Sequence, residues 1–467
     1  MENEIISVGI DIGTTTTQLI FSKITIQNTS NPFIIPDIKI TNKEIIYRSE
    51  VYFTPIRSNQ LINLPELKKI IVNEYEKANI RKDQITTGAI IITGESSRKE
   101  NAEIVLSILS DFAGDFVVAT AGADLEGILA GHGAGASEIS KDKATSVVNF
   151  DIGGGTTNVV IFDNGNVVDA FALDIGGRLI KFNENKEIVY ISDRIKYLIK
   201  FLNIDISINK VPRLEELKKL TDYFAEILFD INSSKNLEEI KTKLFIGHKH
   251  KAIESNNIMF SGGVAEFVYN NSNYTDLDKI IEFGDMGPLL GYSIKELFGK
   301  NKNLLEPKEK IRATVIGTGT YSTKISGSTI FYDEKILPIK NIPIVRISFN
   351  SEKISDIYLQ IEEKLSIYNY NPIAIYLEGI VTPSYEQLKS IGKFIVAAFV
   401  DKSLPIIVIV ENDFAKALGQ TISNIMKTNF NIISIDKISV DEGNYIDIGS
   451  PIAGVLPVIV KTLIFKS

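Results

Sequence analysis

Val8-Gly9-Ile10-Asp11-Ile12-Gly13-Thr14-Thr15-Thr16-Thr17 and Asn149-Phe150-Asp151-Ile152-Gly153-Gly154-Gly155-Thr156-Thr157-Asn158 are two versions of one phrase. Each is an apolar strand with an aspartate at its end. A glycine turn follows, and then hydroxyls lead into a second strand. A turn without Cβ atoms brings backbone N–H groups close to an anion. The hydroxyls add donors, and an aspartate is a hard oxygen ligand suited to Mg²⁺. Asp11 and Asp151 are 140 residues apart, about the length of one domain. A single Asp-x-Gly turn also serves as an ordinary hairpin. Two at domain spacing imply a pair of lobes clasping a nucleotide polyphosphate.

A third phrase follows in order. Ile258-Met259-Phe260-Ser261-Gly262-Gly263-Val264-Ala265-Glu266 reads as an apolar strand, a glycine turn and a helix start. Alone it is an ordinary strand-to-helix turn. After the two hairpins it reads as an adenosine pocket, where a flat base lies on bare backbone.

Composition limits the alternatives. The chain has 467 residues, 44% of them apolar, which allows two to four domains with large cores. The net charge of −8 leaves no basic footprint for nucleic acid. No apolar run approaches a membrane span, and the acidic start Met1-Glu2-Asn3-Glu4 argues against a leader peptide. Cysteine is absent, which excludes disulfides, thiolate metal sites and an iron–sulfur activator built on the same ATPase motifs. His248 and His250 sit among lysines and do not suggest a metal site. Abundant Ile, Lys and Asn point to a low-GC bacterial genome.

The pattern predicts strands at 5–10, 17–26 and 85–93, with a further strand near 38–46 and helices at 64–79 and from 94 to about 110. A short strand is expected at 116–120 and a Gly/Ala-rich helix at 123–136. Strands at 145–151, 157–163 and 166–174 repeat the plan, with Asn164-Gly165 as a two-residue hairpin turn. A mostly helical stretch from 192 to 245 precedes the strand 258–261. Beyond it, strand runs at 373–377, 405–410 and 455–460 flank helical segments at 384–399 and 412–427. The expected architecture is α/β: a first lobe at 1–140, a second at 141–300 carrying the adenosine phrase, and a C-terminal α/β region at 301–467.

Asp11 and Asp151 are the residues expected to organise Mg²⁺ and the attacking water. Thr14, Thr15, Thr16, Thr156 and Thr157 are candidate phosphate donors, and equally residues that favour strands. Gly13, Gly153, Gly154 and Gly155 form the cradles, with Ser261, Gly262 and Gly263 under the base. Asp124 and Glu126 orient water from the lobe seam or serve as acids in the first turn of a helix. Glu95 and Arg98 follow a strand end beside the cleft and read equally as an exposed pair at a helix start. The small residues of 121–136 allow either sliding at the seam or tight packing.

Several further phrases carry a resemblance. They are Ile92-Thr93-Gly94-Glu95-Ser96-Ser97-Arg98-Lys99-Glu100-Asn101-Ala102, Ala121-Gly122-Ala123-Asp124-Leu125-Glu126, Gly284-Asp285-Met286-Gly287-Pro288-Leu289-Leu290-Gly291, and Gly317–Thr320 with Ser326–Ile330. The tail from Asn444 through Phe465 completes the set. The three nucleotide phrases resemble actin, heat-shock chaperone ATPases and sugar kinases. The whole chain resembles the ethanolamine ammonia-lyase reactivating (EutA) family. The resemblance implies duplicated ribonuclease-H-like, actin-like ATPase lobes with ATP and Mg²⁺ between them. It implies a chaperone-like factor that opens the lyase so that damaged cobalamin exchanges for intact adenosylcobalamin. Cobalamin is then met only through the partner enzyme. The implied location is the bacterial cytoplasm, with association with the ethanolamine-utilisation microcompartment and homo-oligomerisation left open. A small-molecule kinase and a non-membrane actin-like filament are the competing readings.

Overall fold

The computed structural model describes residues 2–30, 38–58, 61–93, 96, 101–109, 112, 123–232, 237–247, 254–271, 274, 276–321, 324–348, 356–399, 402–427, 431–438, 440 and 444–462. Glu95, Arg98 and the strand expected at 116–120 lie outside the described residues.

The duplication is present in the sheets. In the first, Ile38–Arg48, Thr16–Asn28, Glu2–Ile12 and Ile85–Ile92 lie side by side. The first two contacts are antiparallel and the last is parallel. In the second, Asn166–Leu173, Thr157–Asp163, Ser146–Ile152 and Asn257–Ser261 repeat this order and polarity. The register is conserved down to single residues: Asp11 faces Gln18 and Ile12 faces Thr17, while Asp151 faces Asn158 and Ile152 faces Thr157. Central strands covered on both faces read as continuous apolar runs; Val8, Ile10, Ile12, Phe150 and Ile152 are all fully buried. Asn164 and Gly165 both take positive φ, 51° and 82°, as a type I′ hairpin requires.

Two helices join the lobes. Ala123–Ala134 packs on strands of the second sheet, and Ala313–Tyr321 packs on the first. They cross with backbone against backbone. A Cβ at Gly133 would sit 1.9 Å from the Ala313 carbonyl oxygen, and one at Gly317 would sit 1.9 Å from that of Leu129. The second helix is also tied to the first sheet, where Ser7 Oγ donates to Gly319 O at 2.9 Å. The small residues of the first helix are therefore there for close approach.

The C-terminal region is one eight-stranded sheet. Its four central strands, Ile339–Ser348, Ala374–Glu378, Ile406–Val410 and Ile432–Asp436, run parallel. Helices Asp356–Ile367, Tyr385–Phe399 and Ala415–Met426 cover one face. The other face builds its own core from Ile344, Ile409, Ile435, Ile446 and Val458. The edge strands Lys324–Ile325 and Phe331–Tyr332 are separated by only residues 326–330, so the sheet curls until its edges approach. Among the described residues, no helix is long and apolar enough to cross a membrane.

The crossing predicts a stability effect. Gly317→Ala should destabilise the chain by about 1–3 kcal/mol through overpacking against backbone that cannot rotate away. Thermal unfolding checks it, and an unchanged melting temperature would show that the helices separate freely.

Candidate functional site

Each hairpin turn is closed in the same way. Gly13 N–H donates to Thr16 O at 2.8 Å, and Gly153 N–H donates to Thr156 O at 3.0 Å. Outer groups brace both turns. Thr54 and Ser96 hydroxyls donate to Gly13 O at 2.8 and 2.9 Å. On the other side, Gly177 N–H donates to Gly153 O at 3.0 Å and Arg178 N–H donates to Gly154 O at 2.6 Å. The two tips touch across the lobes: a Cβ at Gly154 would sit 2.6 Å from Thr15 Oγ1.

A cavity of about 460 Å³ opens beside this contact, within the usual range for small-molecule sites. Of the residues singled out in the sequence, Asp11, Gly13, Thr14, Thr15, Thr16, Glu126, Asp151, Gly153, Gly154, Gly155, Thr156, Gly262 and Gly263 line it. Three are placed elsewhere. Thr157 is buried and its hydroxyl donates to Ile175 O at 2.8 Å, so it holds the hairpin. Ser261 is buried behind Asp151 and donates to its Oδ1 at 2.7 Å. Asp124 lies half-buried in the first turn of its helix, outside the cavity lining.

The carboxylates are the strongest electrostatic feature. Asp11 accepts from Thr93 Oγ1 at 3.1 Å, and Asp151 accepts from Ser261 and from Thr314 Oγ1 at 3.3 Å. Burial pushes Asp11 up to about 7; the Thr93 bond opposes this and the negative charge of Asp151 adds to it. Burial likewise raises Asp151 to about 6 against its two hydroxyl donors. Two buried carboxylates in one cavity, the charge of Asp151 raising the proton affinity of Asp11, are groups that could hold a cation. Among the described residues no cluster of three or more His, Asp or Glu could enclose a metal. That fits Mg²⁺, which takes one or two carboxylates and completes its shell with water and phosphate oxygens. Thr15 Oγ1 is buried without a hydrogen-bond partner at the cradle, where an anion would satisfy it.

Other site residues take no role from the sequence, although Thr93 and Asp285 lie in phrases that carry the family resemblance. Thr93 and Thr314 reach the carboxylates from distant positions. Arg178 and Asp285 form a partly buried ion pair in the cavity wall, Nε to Oδ2 3.6 Å. Burial raises Asp285 to about 6, against the Gly287 N–H it accepts at 2.8 Å and the charges of Arg178 and Lys181. Val264, Phe267 and Phe283 give the cavity an apolar side beside Gly262 and Gly263.

These shifts have a measurable sign. Asp11 and Asp151 hold protons more tightly in the folded chain than at their ordinary value of 3.8. Their contribution to the ion-free chain is therefore full at low pH and lost as pH rises through about 6–7. The ion-free protein should lose stability between about pH 4 and pH 7, and Asp11→Asn should lose less. Added Mg²⁺ should restore the wild type at the higher pH. Thermal melts with and without chelator check this; an identical pH profile in the variant would contradict the assignment.

The family model described as "Ethanolamine utilisation protein EutA" matches residues 3–466. The chain is 32% identical to the ethanolamine ammonia-lyase reactivase EutA of Salmonella typhimurium, over 99% of both chains. It is 32% identical to the protein of the same name from Escherichia coli K12, again over 99% of both. Among solved structures, a Ppx/GppA family member of Aquifex aeolicus aligns at 16% identity and a TM-score of 0.41, covering 68% of this chain and 97% of that one. The chain belongs to the EutA family of ethanolamine utilisation proteins.

Proposed function

We propose that the protein is a reactivating factor for ethanolamine ammonia-lyase, driven by ATP and Mg²⁺ bound in the cleft. One observation carries the nucleotide half: hairpins 140 residues apart bring Asp11 and Asp151 into a single cavity. The family relatives named as reactivases support the partner half.

In this reading, Gly13–Thr16 and Gly153–Thr156 hold the polyphosphate from opposite sides, and Gly262 and Gly263 lie under the adenosine. Mg²⁺ supplies charge neutralisation on the phosphate oxygens when bound. Asp11 and Asp151 hold it there. Asp151, fixed by Ser261 and Thr314, also orients the attacking water. Glu126 faces the same space, and Asp124 supports its helix. The phosphates draw the hairpin tips and hence the two lobes together. The segments 1–140 and 141–300 act as the lobes, with 301–467 docking on the lyase. Lobe closure shifts the lyase only by binding its opened form better than its closed form. Damaged cobalamin then leaves and intact adenosylcobalamin enters the partner. The proposed setting is the bacterial cytoplasm, beside the ethanolamine-utilisation microcompartment.

Asp151→Asn should bind ATP yet lose turnover at least about tenfold, which is about 1.4 kcal/mol in the barrier. Phosphate release at the wild-type rate would remove Asp151 from catalysis. Cobalamin-inactivated lyase should recover only with the protein, ATP, Mg²⁺ and fresh adenosylcobalamin together. Recovery without nucleotide, or none under any condition, would overturn the function. Transfer of phosphate to a small hydroxyl compound instead of water would establish a kinase.

A further inference from the structure

A second cavity of about 220 Å³ lies behind the hairpin tips. Thr14, Thr15, Gly154, Gly155 and Arg178 line both cavities, so the touching tips form a septum between them. The two sides differ in charge. The main cleft presents Asp11, Glu126, Asp151, Glu266 and Asp285. Among the described residues no carboxylate lines the smaller cavity; its charged groups are Arg178 and Lys181.

The cationic side is a built environment. Lys181 and Tyr190 come from the paired strands Ile180–Phe182 and Ile188–Ile191, and the Lys181 ammonium sits 5.0 Å from the Tyr190 ring centre. Lys181 is bridged through its backbone to Asp285, and Asp285 holds Arg178 from the cleft side. Thr15 Oγ1 is buried with no hydrogen-bond partner, and Arg178 Nε has only the 3.6 Å ion-pair contact with Asp285 Oδ2. A buried hydroxyl left unsatisfied at the septum beside a guanidinium favours an acceptor there. Two cations and a hydroxyl around a space of about seven water volumes suit a compact oxyanion.

We propose that this second cavity is an oxyanion subsite that holds inorganic phosphate on the far side of the hairpin tips. The inference rests on the nucleotide reading of the cleft in one respect: phosphate reaches the subsite either from ATP hydrolysis or from solution. Held there, the anion bonds to residues of both lobes, Thr15 from one and Arg178 and Lys181 from the other. It keeps the tips together after the nucleotide has been cleaved.

The test uses the full-length protein and inorganic phosphate. Calorimetric titration into the protein saturated with Mg-ADP should show one saturable site. Lys181→Gln should weaken it at least about tenfold, equal to about 1.4 kcal/mol, with Mg-ADP affinity unchanged. Lys181→Arg should retain it. In single-turnover experiments with ATP, Lys181→Gln should release phosphate faster after cleavage, which identifies the hydrolysis product as the occupant. Unchanged release with lost phosphate binding identifies free phosphate as the occupant and keeps the subsite. No saturable phosphate binding, or equal affinity in wild type and Lys181→Gln, overturns the proposal. A titration into nucleotide-free protein separates the two readings: failure to bind Mg-ADP counts against the cleft, and phosphate binding there still decides the subsite.

Discussion

Two carboxylates, Asp11 and Asp151, face one cavity, and the charge of Asp151 makes ionisation of Asp11 harder. A proton or a cation between them relieves that repulsion. Much of the surrounding structure holds them in that position. Thr93 restrains the first from the parallel strand beside it, while Ser261 and Thr314 restrain the second. Ser261 is itself held by Asn149, whose side-chain amide donates to its hydroxyl at 2.9 Å. In the proposed reading, a divalent ion and its phosphate ligands would relieve that repulsion, and ion binding would thereby favour lobe closure.

The hairpin tips touch at Thr15 and Gly154, and the crossed helices touch at Gly133 and Gly317. Gln18 Nε2 donating to Ile311 O and the Arg48–Glu309 ion pair add contacts to the first sheet. The tip contact lies where the proposed phosphates would sit. The helix crossing has no room for compression, so it suits a pivot. The curled C-terminal sheet follows directly after the helix Ala313–Tyr321 in the chain, which places it at the output end of any movement of that helix. Both of its faces are apolar and are covered by its own helices and core, consistent with a rigid body that is carried rather than reshaped.

The hairpins, their partner strands and the Asn164-Gly165 turn are legible in the sequence because their signals are local. Alternation, strand-end aspartates and turn residues lie within about ten positions. The helix Ala313–Tyr321 is not legible. Its Thr, Val, Ile and Gly content has poor intrinsic helix propensity, and contact with Gly9 and Leu129 fixes it instead. Thr93 and Thr314 escape notice for a related reason: each is an ordinary threonine until sheet register and helix crossing bring it to an aspartate. Arg178 and Asp285 are over 100 residues apart and acquire meaning only as a pair. In the other direction, Thr157 and Ser261 match the phosphate and base phrases, yet the strand pairing turns both side chains inward. The strands Ile339–Ser348 and Ile432–Asp436 are not among those expected; Pro343 interrupts the first, and the second gains its identity from its neighbours in the sheet.

The central claim is that both hairpins act on one ion and one polyphosphate. A double-mutant cycle on Mg-ATP affinity tests it most directly, with Asp11→Asn, Asp151→Asn and the pair measured by calorimetry. A shared ion predicts strong non-additivity: once either carboxylate is lost, removing the other costs much less than it does in the wild type. Additive losses within about 0.5 kcal/mol would mean that the two aspartates act independently, and the single-clamp reading would fail.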